Sequence, residues 1–265
     1  MTALTVIYAL FLWWFSTGAI LFVISRPAPT DMEAFRKAVI LAVPILSLGA
    51  AGILISLEDQ TVQGAFIAFT AALLVWGWFE MAFLAGVITG PEVRPRPPDL
   101  PAGERFLRAW GAIAHSEMAL VMTAAVLAIA SVGASNRVAI LTFLVLFFAR
   151  ISAKLNVYFG VPNINDEFLP GPVRHLTSHF RRAPMNAFFP WSVTALTFAT
   201  ACWAERAWAA PEGSGAEVGY VLLATLTALA VFEHWMMVLS LPDAALWRWL
   251  LPSPTPNSTD IKPDS

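Results

Sequence analysis

The chain reads as an all-α, polytopic membrane helix bundle of about seven transmembrane helices, and three observations carry that reading. It is 58% hydrophobic and 13% charged over 265 residues, about half the roughly 25% charge usual in soluble domains. Its apolar residues gather into seven long runs and lack the two-residue alternation of barrel strands. Fourteen of its 16 Lys and Arg lie in alternate connections between those runs or in the tail.

The runs cover Ala3 to Ser25, Ala38 to Leu57, Gly64 to Gly90, Phe106 to Val132, Val138 to Phe159, Asn186 to Trp208 and Val218 to Leu241. Each approaches or exceeds the roughly 20 apolar residues that cross a hydrocarbon core about 30 Å thick. Lipid offers the backbone no hydrogen-bond partner, so helices are the natural form for them. No cation precedes the first run and no small-residue cleavage pattern follows it, so it is expected to remain as a span. Arg137 and Arg206 alone lie on the side opposite the other basic residues. The positive-inside rule then puts the N-terminus in the periplasm and the C-terminus in the cytoplasm.

One domain is expected over residues 1–251. It includes a proline-rich, extended cytoplasmic loop at 91–105 and a polar cytoplasmic segment at 160–185. Residues 252–265, which lack apolar groups to bury, read as a disordered tail. Trp247 and Trp249 ahead of it read as interfacial anchors. A net charge of -2 gives no basic field for nucleic acid. The single Cys202 offers neither an internal disulfide nor a metal spacing.

Ionisable groups inside lipid are costly, so each is expected to have a partner or a function. Glu80, His115, Glu233 and His234 fall in one layer, roughly 10 to 15 Å from the cytoplasmic surface at about 1.5 Å rise per residue. His115 shares a helix face with Gly111, Ala112 and Ala119, which suggests that it faces the bundle. Glu117 lies about 200° around the helix and is expected to be outside that site. One reading is a hydrogen-bonded cluster that sets helix register. Another is a ligand site for a metal or a tetrapyrrole, with haem as one candidate, since neutral imidazole ligates metals and carboxylates orient it. A proton relay is the third. Arg150 and Lys154, near the end of the fifth run, are expected to snorkel to headgroups. Asn156 is too short for that and is expected to bridge helices.

Several chemistries lack their spacing. There is no Glu-x-x-His for a di-iron bundle, no lysine in the last span for a retinal Schiff base, and four histidines in all, where membrane desaturases carry about twice that number. Gly-rich phosphate loops and nucleophile elbows are also missing.

The longest polar stretch, FGVPNINDEFLPGPVRHLTSHFRR from Phe159 to Arg182, is expected to be a structured lid or docking surface. Asn163, Asn165, Asp166 and Glu167 would form a tight turn. Val173, Leu176 and Phe180 would form one side of a short interfacial helix starting near Pro172. Arg174, Arg181 and Arg182 would meet lipid headgroups or a partner. His175 and His179, four apart, would share a face, although two ligands do not make a metal site.

The segments ARISAKLNVYFGVPNINDEFLP and HLTSHFRRAPMNAFFPWSVT, with ALFLWWFSTGAILFV near the start and HWMMVLSLPDAALWRWLL near the end, resemble the photosynthetic complex assembly protein 2 family, PuhE, of purple phototrophic bacteria. The resemblance implies a multi-pass protein of the inner, intracytoplasmic photosynthetic membrane. It implies a role in assembling the reaction centre and light-harvesting core or in supplying bacteriochlorophyll. Its implied partners, besides lipid, are photosynthetic complex subunits or pigment-biosynthesis proteins, and bacteriochlorophyll joins haem as a candidate cofactor. It supplies no catalytic residues, so a non-enzymatic role comes first. A membrane-embedded metal or haem enzyme of tetrapyrrole or carotenoid metabolism and a proton-coupled small-molecule transporter remain as alternatives.

Overall fold

The computed structural model describes residues 2–239 as a bundle of eight α-helices. They are α1 (Thr2–Ile24), α2 (Met32–Leu41), α3 (Val43–Ser56), α4 (Val62–Leu84), α5 (Ala102–Ala130), α6 (Val138–Phe159), α7 (Phe189–Ala209) and α8 (Gly215–Met236). Two 3-10 segments, Asp166–Phe168 and Gly171–His179, interrupt the connection between α6 and α7. The tryptophan anchors at 247 and 249 and the tail from 252 lie outside the described residues.

Among the described residues six helical stretches are long and apolar enough to cross a membrane: α1, α2 with α3, α4, α5, α6 and α8. Met32–Ser56 makes one such stretch although Pro44 breaks it, because a proline inside a helix lacks the N–H of the i to i−4 ladder and its ring clashes with the preceding turn. The run at 186–208 becomes α7, which has spanning length with 21 residues but carries Glu205 and Arg206 near its C-terminal end and is not among the six. It lies along α8.

α4 is the centre. Alanines 65, 68, 71 and 72 are all buried on it, and side chains that small let neighbouring backbones come close where no hydrophobic effect drives helices together. On α3, a Cβ at Gly52 would lie 2.8 Å from Ala71 Cβ and one at Gly49 2.9 Å from Ala71 O. Larger groups fill the layers on either side. Trp76 packs edge-on to Phe143 of α6 with centroids 5.3 Å apart, and Phe69, Leu222 and Leu226 join Ala9 between α1, α4 and α8.

The connections gather by end. Those between α1 and α2, α4 and α5, and α6 and α7 pack on one another and, with the first two turns of α2 and α5, carry ten of the 16 Lys and Arg, which defines a basic end. There Arg96 donates from its backbone N–H to Ser178 Oγ at 2.8 Å and from Nε to Ser178 O at 3.0 Å. Arg105 Nη2 donates to Tyr158 O at 2.6 Å. The chain after α4 also runs back along α5: Ser116 N–H donates to Thr89 O at 2.9 Å and Glu92 N–H to Gly111 O at 3.2 Å. At the opposite end Asn136 Nδ2 donates to Asp59 O at 2.9 Å, and Ser135 to Glu58 at 2.9 Å.

Candidate functional site

The sequence places Arg150 and Lys154 four apart on α6, and therefore on one face of it. Arg150 lies nine residues before Phe159, the last of the helix, or about 14 Å at 1.5 Å per residue. That depth makes snorkelling expensive. Both side chains instead turn into the bundle, a correction to their expected exit to headgroups. Arg150 Nη1 pairs with Glu80 of α4 and its Nε with Glu117 Oε1 of α5 at 3.2 Å, while Lys154 pairs with the same Glu117 oxygen. Ser116 Oγ takes Arg150 Nη2 at 3.4 Å. The Phe83 ring covers both cations, 4.7 Å from the Arg150 guanidinium and 4.4 Å from Lys154 Nζ. Its quadrupole adds attraction where water is excluded.

Two carboxylates and two cations make this network neutral. Glu117 is 1% exposed and the Arg150 side chain 9%. Each would be prohibitive alone in lipid, and together they clamp α4, α5 and α6 in one register.

That clamp reverses the expected orientation of α5. Glu117 points inward and His115, about 160° away the short way round, is exposed. The small-residue stripe was a weaker guide than the two cations on α6. Within a single sequence their positions near a helix end suggested headgroups, and Glu117 was set aside only because His115 was turned inward. The signal that could have found the network was charge pairing: two cations and two carboxylates at comparable depth, none affordable unpaired.

Glu80, Glu233 and His234 line one cavity of about 290 Å³ between α1, α4, α6 and α8, with Arg150, Ser16 and Trp13 also in its wall. They share the cavity without bonding to each other. Glu233 is hydrogen-bonded by Trp13. His234 is 1% exposed, and both of its nitrogens are engaged: Nε2 lies 2.8 Å from Ser152 Oγ and Nδ1 2.7 Å from Ala230 O. Among the described residues no group of three His, Cys, Asp or Glu could hold a metal ion. His115 is outside the cavity.

The lid closes the basic end beneath the charge network. Val173 and Leu176 are buried against Phe83 and Ala112, with Phe180 packed at the margin. The interfacial helix expected here is a 3-10 helix docked on protein, not on lipid. Thr177 and Ser178 hydroxyls return to the carbonyls three residues back, Arg174 O and His175 O, both at 2.8 Å, which favours the tighter winding locally. At about three residues per turn, positions four apart are roughly 120° apart, so His175 and His179 do not share a face as an α-helix would require. His179 is 5% exposed, and neither of its nitrogens has a hydrogen-bond partner among the described residues. Burial lowers the pKa of both imidazoles.

The rest of the polar segment is spent on the chain itself. Asn163 closes the end of α8, donating from its backbone to Met237 O at 3.0 Å and from Nδ2 to Leu239 O at 2.8 Å. Asn165 precedes the Asp166–Phe168 turn, which contains Glu167. Arg182 pairs with Asp166 at 2.8 Å, and Arg181 N–H donates to Val157 O at 3.1 Å. Asn156, fully buried, donates to Ser192 Oγ of α7 at 2.9 Å. Asn186 donates to Asn156 Oδ1 at 3.2 Å and to Gly160 O at 2.8 Å, while its Oδ1 accepts from the Phe188 and Phe189 N–H groups that open α7.

These features define a multi-pass α-helical membrane protein with a neutral charge network in its interior and a polar lid at one end. The chain belongs to the family described as "Protein of unknown function (DUF3623)", whose profile matches residues 1–258. It is similar to a Rhodobacter capsulatus protein described as "Uncharacterized 30.4 kDa protein in puhA 5'region", with 48% identity over 250 residues, 94% of this chain and 91% of the other. No solved structure matches the chain.

Proposed function

We propose that this protein is an integral-membrane factor, of the PuhE type its motifs resemble, for assembling the photosynthetic reaction centre and light-harvesting complex or for supplying its bacteriochlorophyll. The observation that carries this reading is the similar R. capsulatus protein, described by its place in the 5' region of puhA. The intracytoplasmic photosynthetic membrane is the corresponding location, with the basic end in the cytoplasm.

The geometry narrows how pigment would be met. A cavity of about 290 Å³ lies at the bottom of the roughly 300–1,000 Å³ range that encloses drug-sized ligands, and a chlorophyll macrocycle with its tail is larger. His234 has no free nitrogen to offer. His115, exposed on α5, is the imidazole open to a pigment magnesium from the lipid side. In this role the protein binds and positions, with no bond made or broken.

The test is a chromosomal deletion complemented with wild type, His115→Ala or His234→Ala, read by the absorption of assembled complexes and of the purified factor. Assembly that survives deletion sinks the function. Assembly lost on deletion but indifferent to His115→Ala, with no pigment on the purified protein, leaves a scaffold and removes pigment contact at His115. One observation favours a membrane enzyme instead: Glu80, Glu233 and His234 share a cavity. A stoichiometric transition metal in the purified protein would support that reading.

A further inference from the structure

Among the described residues the end opposite the basic one carries only two arginines, Arg137 and Arg206, and both line the same cavity of about 570 Å³. Neither guanidinium has an ion pair or hydrogen bond among the described residues. Snorkelling would let each find its own headgroup at a separate point on the rim. Convergence on one cavity is a different arrangement.

The remaining walls suit an anion. α4, α6 and α8 all begin here, with Thr61, Arg137 and Ser214 as N-caps that line the cavity. Each helix start contributes a partial positive charge of about half an elementary unit. The side chains of Thr61, Asn136 and Ser214 already accept from Gly64, Val138 and Glu217 N–H groups, so the helices act through their field and the arginines are the direct donors. Trp203 stacks on Tyr220 with centroids 6.1 Å apart and planes at 17°. Its buried indole Nε1–H has no partner among the described residues.

Glu58, Glu205, Glu212 and Glu217, the glutamates nearest this end, do not line the cavity. Glu58 accepts from Ser135 at 2.9 Å, and Glu217 accepts from Gly213 N–H at 2.6 Å. Asp59 alone lines the cavity, and its Oδ1 accepts from Thr61 N–H at 2.9 Å within its own turn. Two cations, three helix starts and the Trp203 ring therefore line a cavity whose one carboxylate is occupied.

We propose that this cavity is a binding site for an oxyanion, a phosphate or carboxylate, borne on an apolar body, with Arg137 and Arg206 forking onto the oxygens and the Trp203–Tyr220 stack against the apolar part. Arginine's planar donors match such groups bidentately. The anion arrives either as the headgroup of an anionic phospholipid or as a free solute from the adjoining aqueous phase.

The full-length protein is placed in nanodiscs of phosphatidylcholine alone or with phosphatidylglycerol added. Native mass spectrometry counts retained phosphatidylglycerol, and thermal unfolding is followed as inorganic phosphate is titrated into the phosphatidylcholine-only sample. The variants are the double change Arg137→Gln with Arg206→Gln, and Arg36→Gln as an exposed cation elsewhere. Both guanidiniums are exposed, so the double variant keeps the packing intact. The expected result is a loss of about tenfold or more in affinity for one probe in the double variant and none in Arg36→Gln. Loss of phosphatidylglycerol retention assigns the lipid source, and loss of the phosphate-induced shift assigns the free anion. Equal responses of wild type and double variant to both probes, or no response by either, overturn the proposal.

Discussion

Glu117 of α5 accepts a hydrogen bond from Arg150 of α6 at 3.2 Å, between two side chains that are 1% and 9% exposed. The bond joins residues 33 positions apart and sets which side of α5 faces the protein. Through the second arm of Arg150 it reaches Glu80, and through Lys154 it reaches one turn further along α6. Register among three helices rests on four charges that cancel.

Arg150→Met leaves the part-buried Glu80 without a cation and the buried Glu117 with Lys154 alone. Breaking a buried pair from one side costs about 3–5 kcal/mol, read as a large fall in the thermal unfolding midpoint in detergent. Adding Glu80→Gln to the same variant should recover part of it, because Glu117 keeps Lys154 and the remaining pair is neutral. Lys154→Met, at a quarter-exposed side chain, should cost less. Wild-type stability in Arg150→Met would show that the network is not a clamp.

The lid should loosen in acid. Burial holds His179 below its ordinary value of 6.5, with His175 and Arg96 adding to the effect, and burial also lowers His175. Both are therefore neutral when the lid is packed, and an opened lid binds protons more readily. Their contribution to lid stability is full above the unfolded value of about 6.5 and is lost as pH falls through the lower folded pKa. Hydrogen exchange of residues 171–179, corrected for intrinsic rates, should accelerate as pH drops from 7 to about 5. His179→Phe should flatten most of that dependence.

Gly86 has φ +71° and faces the lid so closely that a Cβ there would lie 2.6 Å from Pro172 Cβ. Gly86→Ala combines a left-handed backbone with a clash, worth about 1–3 kcal/mol. The effect should be local, as faster exchange and proteolysis at 171–179 with α4 still protected. Unchanged lid protection would mean that the 85–101 loop moves independently of the lid.

Ser152→Ala removes the partner of His234 Nε2, 2.8 Å away. An unsatisfied buried polar atom costs about 1–3 kcal/mol, so thermal stability should fall by that order. Complex assembly in the complemented deletion strain should be unaffected, since His234 is a packing group. A gain of bound pigment in Ser152→Ala would instead show His234 to be a ligand held in reserve.

The lid shows how legibility ran out over a few residues. Its positions Val173, Leu176 and Phe180 were readable as one apolar side turned to the membrane interface, and the structure instead buries Val173 and Leu176 against protein. Their spacing of three fits α and 3-10 windings alike, so nothing local distinguished them, and the four-residue histidine pair inherited the wrong period. The surface they cover was also out of reach, because Phe83 and Ala112 become neighbours only when α4 and α5 are already packed.

By itself the sequence determined an all-helical, multi-pass architecture and the end at which the cations collect. Both follow from lipid as a solvent, since it offers no partner to the backbone and charges heavily for every ionised group. Only the tertiary structure decided which ionisable residues meet. His115 and Glu117 lie nearly opposite each other on α5, and either face can be turned inward without changing its apolar content much. The choice was made by Arg150 and Lys154 on another helix, where pairing removes a desolvation cost larger than any preference of α5 for its small-residue stripe.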